Sequence, residues 1–124
     1  MRCTNSHLRW DDGVVDILSL KMKLLLLPGL DGTGVLFRPL LKSLPDWLEP
    51  VVIPYPTQQV LGYDDLLSTI RQALPLDEPF LLLGESFGGP LALRLAASKP
   101  PGLKGVILCG SFVTCPYSSV PTWQ

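Results

Sequence analysis

The strongest constraint on the fold of this chain is a set of four short apolar runs, each bounded by Gly, Pro or a charge. They are KLLLLPG (23–29), PVVIPYP (50–56), PFLLLG (79–84) and LKGVILCG (103–110). Continuous apolar runs of that length are what strands covered on both faces look like. Between the second and third runs, Leu66, Leu67, Ile70 and Leu74 share one helical face, with Asp64 or Asp65 placed to cap it and Arg71 and Gln72 pointing outward. After the third run, Leu91, Leu95 and the nearby alanines continue a helix that tolerates Pro90 in its first turn and that Pro100 and Pro101 must stop. A weaker helix spans about 36–44. Strands alternating with helices predict an α/β fold, a mostly parallel sheet of about four strands with helices on both faces.

A chain of 124 residues has room for one core, and 47% hydrophobic content with a net charge of −1 points to a globular protein. No basic patch marks it as a nucleic-acid partner. No purely apolar run exceeds four residues, far below the roughly 20 that span a bilayer. Met22-Lys23 and four leucines make too short an apolar stretch for export. The expectation is therefore a cytoplasmic protein with no transmembrane segment. Cys3, Cys109 and Cys115 lack the paired spacing of a zinc site. Cys109, inside an apolar run, is expected to be a small buried hydrophobe. No spacing implies a metal or an organic cofactor.

The stretch HLRWDDGVVDILS leaves two readings open, a hairpin turning at Asp12-Gly13 or a native start at Met22. The expected organisation is an extension or hairpin over 1–21, a core over 22–115 and an irregular, proline-rich tail over 116–124.

The chemistry concentrates in GESFG, 84–88, which fits G-x-S-x-G with an apolar strand before it and a helix after it. A serine on so sharp a turn sits in a strained backbone conformation, and a side chain two residues to either side would collide with the neighbouring strand or helix. The turn pushes Oγ clear of the sheet. The following helix sets its free N–H groups and positive dipole end beside the place where negative charge develops in acyl transfer. A second stretch, LLLLPGLDGTG (24–34), runs from a strand into a glycine-rich loop before a helix.

Together these stretches resemble the α/β-hydrolase superfamily, with residues 24–29 corresponding to its third strand and 103–110 to the strand after the nucleophile helix. More narrowly, LPGLDGTG with GESFGG is similar to the branch holding the plastid esterase/lipase/thioesterase-like acyltransferases and many bacterial hydrolases. The resemblance covers about 22–115. It implies that Ser86 is the nucleophile, that the backbone N–H groups of Phe87 and Leu30 are the oxyanion donors, and that the substrate is a small-molecule ester or thioester. Pro28-Gly29 stands where many relatives have His-Gly.

Rival readings are weaker. Gly29, Gly32 and Gly34 do not give the dinucleotide-binding G-x-G-x-x-G spacing, and no Lys follows Gly89 to make a phosphate loop. Asp31 beside Gly32 reads as a turn former more readily than as a residue near the active-site mouth. Glu85 is expected to fix the elbow through hydrogen bonds or to face solvent.

A serine nucleophile needs a general base oriented by an acid, and the superfamily order is Ser, Asp or Glu, His. After Ser86 the sequence contains no Asp, Glu or His, and its one histidine, His7, reads as an exposed terminal residue. The expectation is a partial α/β-hydrolase fold whose C-terminal strands are missing. The strand at 103–110 would then be an open edge bearing Val106, Ile107 and Leu108, suited to self-association or to a partner chain. Three functions compete: a serine hydrolase or acyltransferase, an inactive remnant, and an assembly module that pairs with a second chain carrying Asp and His.

Overall fold

The computed structural model describes residues 9–10, 13–14 and 21–113. His7, Cys3, Cys115 and the tail over 116–124 lie outside the described residues. β1 (Arg9–Trp10) pairs antiparallel with β2 (Gly13–Val14), Arg9 opposite Val14 and Trp10 opposite Gly13. Gly13, expected in the turn, is thus a strand residue.

The body is a four-stranded, wholly parallel sheet in the order β4-β3-β5-β6. Its strands are β3 (Met22–Leu27), β4 (Leu48–Val52), β5 (Phe80–Glu85) and β6 (Leu103–Cys109). A 3₁₀ turn (Val35–Phe37) and α1 (Arg38–Leu41) link β3 to β4, α2 (Tyr63–Ala73) links β4 to β5, and α3 (Gly88–Ala97) links β5 to β6. The chain moves one way from β3 to β4 and the other way from β4 through β5 to β6. Right-handed crossovers then put α1 on one face and α2 and α3 on the other.

The core follows from the two-residue period of the strands. Leu25, Leu27, Phe80 and Leu82 face α2 and α3, where they meet Leu66, Leu67, Ile70, Leu91 and Leu95. Leu24, Leu26 and Leu83 face the other way, onto Phe37. Each such buried side chain contributes about 1.5–3 kcal/mol by leaving water.

Burial on both faces holds for the central strands β3 and β5 but not for the outer two. β4 exposes Glu49 and Pro50, and β6 is an edge among the described residues, with Ile107 and Leu108 about two-fifths exposed at 42% and 40%. Val106 is half-buried against the α2–α3 layer. Cys109, expected to be buried, is exposed because nothing in the described residues covers the end of β6.

Local signals explain the other departures. The second apolar run stops as a strand at Val52, since Pro54 and Pro56 have no N–H to donate. The helix expected over 36–44 is only the 3₁₀ turn and the four residues of α1, because Pro39 disrupts the ladder and the Ser43 N–H bonds Leu40 O at 2.9 Å, tightening the last turn. α2 begins earlier than its apolar face suggests, capped by Gly62 rather than by Asp64 or Asp65. Asp65 instead reaches back to accept the Gly62 N–H at 3.4 Å, and both acids sit in the first turn, where the helix dipole favours them. Leu74, before Pro75, is extended rather than helical. Among the described residues no helix is long and apolar enough to cross a membrane.

Candidate active site

The strand order reverses between β3 and β5, so the loops leaving their C-terminal ends part and open a crevice, where ligands of such sheets bind. The glycine-rich loop after β3 and the GESFG turn after β5 both lie at this point.

Ser86 occupies the turn from β5 to α3 with φ +49°, a left-handed conformation that costs a non-glycine residue about 1–3 kcal/mol. The neighbours that enforce it are close. A Cβ on Gly84 would lie 2.5 Å from Gly88 O, and one on Gly88 only 2.2 Å from Leu27 O. The Ser86 backbone is gripped from the end of β6: its N–H donates to Cys109 O at 3.0 Å, and its carbonyl accepts Ser111 Oγ at 2.8 Å and the Gly89 N–H at 3.1 Å.

The loop after β3 is knitted by its own side chains. Gly29 O accepts the Gly32 N–H at 3.0 Å. The Asp31 carboxylate accepts the Thr33 N–H at 3.3 Å and the Thr33 hydroxyl, while Thr33 Oγ1 accepts the Val35 N–H at 3.2 Å. Asp31 is the turn former that its pairing with Gly32 suggested. Glu85 turns to this loop rather than to solvent, its Oε2 accepting the Gly29 N–H at 2.9 Å.

Leu30 and Phe87, the residues whose N–H groups the family resemblance implies as oxyanion donors, line one cleft of about 320 Å³ together with Gly32, Tyr55, Val60 and Leu61. Ser86 immediately precedes Phe87 but is not itself among the residues lining that cleft. Leu30 is 83% exposed.

Two features are invisible in the sequence. The Phe87 ring stacks on Tyr63 at 4.6 Å and meets Tyr55 edge-on at 6.2 Å, with the Arg94 guanidinium over Tyr63 at 5.2 Å. The buried Tyr55 hydroxyl donates to Pro28 O at 2.8 Å. Burial first, then the charges of Tyr63, Glu85 and Asp31, hold that hydroxyl protonated well above the ordinary tyrosine range. Each pairing joins residues far apart in sequence.

Phytyl ester synthase 1, a chloroplastic protein of Arabidopsis thaliana, is 36% identical to this chain over 80 residues. That alignment covers 60% of this chain but 11% of the relative's length. The alpha/beta hydrolase fold family matches residues 56–123, more than half of the sequence and a block that includes β5, the Ser86 turn, α3 and β6. The match spans more than half of the sequence, the sheet it overlaps is parallel, and the chain belongs to the alpha/beta hydrolase fold family.

Proposed function

We propose that this chain carries the nucleophile half of a serine hydrolase acting on carboxylic esters or thioesters. The observation that supports it most is Ser86, held at φ +49° by glycines that leave no room for a Cβ, at the head of an α-helix. In this reading Ser86 Oγ attacks the acyl carbon as a base removes its proton. The oxyanion is stabilised by the Phe87 and Leu30 N–H groups, and the C–O or C–S bond breaks as the leaving group takes the proton. Water then attacks the acyl-enzyme and restores the hydroxyl.

Because no Asp, Glu or His follows Ser86 in the sequence, the acid and base come from polypeptide outside these 124 residues, in the same protein or in a partner along β6. The expected behaviour is sharp. The chain alone turns over an activated ester no faster than its Ser86→Ala variant, and adding the polypeptide that carries acid and base raises turnover only where Ser86 is intact. Turnover in the complemented Ser86→Ala variant equal to that of the intact form would contradict the reading.

A second reading changes only the acceptor. Similarity to a protein named phytyl ester synthase favours an alcohol in place of water at the acyl-enzyme, which makes the product an ester. Supplying a long-chain alcohol with the acyl donor separates the two, since transfer gives a new ester and hydrolysis gives the free acid.

A further inference from the structure

The peptide unit between Pro28 and Gly29 is gripped at both ends by side chains from elsewhere in the fold. Its carbonyl accepts the Tyr55 hydroxyl at 2.8 Å, and its N–H donates to Glu85 Oε2 at 2.9 Å. The next peptide unit has its carbonyl, Gly29 O, held by the Gly32 N–H at 3.0 Å. A trans peptide points its N–H opposite to its C=O. The direction of the Leu30 N–H is therefore opposite to that of Gly29 O, in a turn whose preceding peptide unit Tyr55 and Glu85 fix in place. No local turn signal requires Glu85 or Tyr55 for this. Glu85 comes from β5, one residue before Ser86, and Tyr55 from the segment after β4, the strand on the other side of β3, so the loop is tied at once to the elbow across the crevice and to its outer neighbour.

We propose that Glu85 and Tyr55 are positioning residues that clamp the Pro28–Gly29 peptide unit and thereby hold the Leu30 N–H in register with the Ser86 hydroxyl. The inference rests on the hydrolase reading above. Neither residue touches the reacting atoms or moves a proton. A charged acceptor makes the stronger hydrogen bond to a backbone N–H, and a donor that stays protonated keeps the second tie closed. Pre-set donors of this kind are what an oxyanion requires, because reorganisation during the reaction would cancel their benefit.

Butylboronic acid tests the clamp on the 124-residue chain, because its capture needs no general base. Ser86 Oγ forms a bond to trigonal boron, the hydroxyl proton leaves to the buffer, and the tetrahedral boronate that results places an oxygen where the oxyanion would sit. Affinity is read from amide shifts at Leu30 and Phe87, and clamp closure from hydrogen exchange at the Gly29 amide.

Glu85→Ala and Tyr55→Phe are each expected to weaken boronate binding about tenfold, less than the loss from deleting a donor outright. Glu85→Ala should also speed Gly29 exchange about tenfold or more. Glu85→Gln, whose carboxamide oxygen still accepts from Gly29, should recover most of both losses, a rescue that packing alone would not produce in the exchange of a single amide. Thermal unfolding of each variant checks that it is folded. Should Glu85→Ala unfold, Tyr55→Phe against wild type carries the comparison. Wild-type boronate affinity in Glu85→Ala and Tyr55→Phe overturns the clamp and leaves the hydrolase reading standing. A wild-type chain that takes up no boronate, while Gly29 exchange still responds to Glu85→Ala, overturns the hydrolase reading and with it the role given to the clamp.

Discussion

At Ser86 the backbone gives up stability for the placement of one hydroxyl. Ser86→Gly relieves the φ of +49° and is expected to raise stability by about 1 kcal/mol in chemical denaturation, whereas Ser86→Ala keeps the strain and stays within about 0.5 kcal/mol of wild type. Tyr55→Phe removes a buried hydrogen bond and should cost about 1 kcal/mol. It should also change the pH profile. Tyr55 is shifted up from its ordinary value of 10.0, so folded and unfolded chains both hold the proton below pH 10 and its contribution is complete there. Above pH 10 the unfolded hydroxyl ionises while the folded one does not, so stability falls as pH rises. Tyr55→Phe should make that alkaline fall shallower in a denaturation series. The elbow itself was legible in five consecutive letters, because the turn needs small residues at fixed offsets from the serine, even though the atom that crowds Gly88 is Leu27 O on β3. The Glu85 bond to Gly29 spans 56 residues, and nothing local in either stretch encodes it.

Among the elements, α3 is constrained from two directions, packed against β5 below and carrying the elbow at its head. Leu95, fully buried on its inner face, is expected to cost about 3 kcal/mol on truncation to Ala. Gly88→Ala forces a Cβ to within 2.2 Å of Leu27 O and should cost at least about 2–3 kcal/mol. Both are read by chemical denaturation. Strand positions were visible because β3 and β5 are buried on both faces and therefore apolar throughout. Their lateral order was not, since runs as alike as FLLL and LLLL carry no pairing code. Neither was the exposure of Cys109, which depends on β6 being an outer strand among the described residues. The same position makes Ile107 a handle on association. Ile107→Lys sets a charge on the open edge, and sedimentation should find it less self-associated than wild type at equal concentration.

For the whole molecule, the four-stranded order β4-β3-β5-β6 matters more than any one contact, because it brings the β3 loop and the β5 turn to the two sides of one crevice. The alternation of runs foretold the parallel sheet and the helices on both faces. That the β3 loop and the elbow would meet was implied by the family resemblance, whereas Tyr55 joining them depended on a crossover that only the fold displays. The chain holds Ser86 in a left-handed conformation next to Phe87, which lines one cleft with Leu30 and Gly32 of the β3 loop, in an alpha/beta hydrolase fold. The most direct measurement is peptide-mapped mass spectrometry after exposure to a fluorophosphonate probe, with the acid- and base-bearing polypeptide present. The adduct is expected on Ser86 and absent from Ser86→Ala, whereas a modified residue elsewhere, or none, would contradict the assignment of the nucleophile.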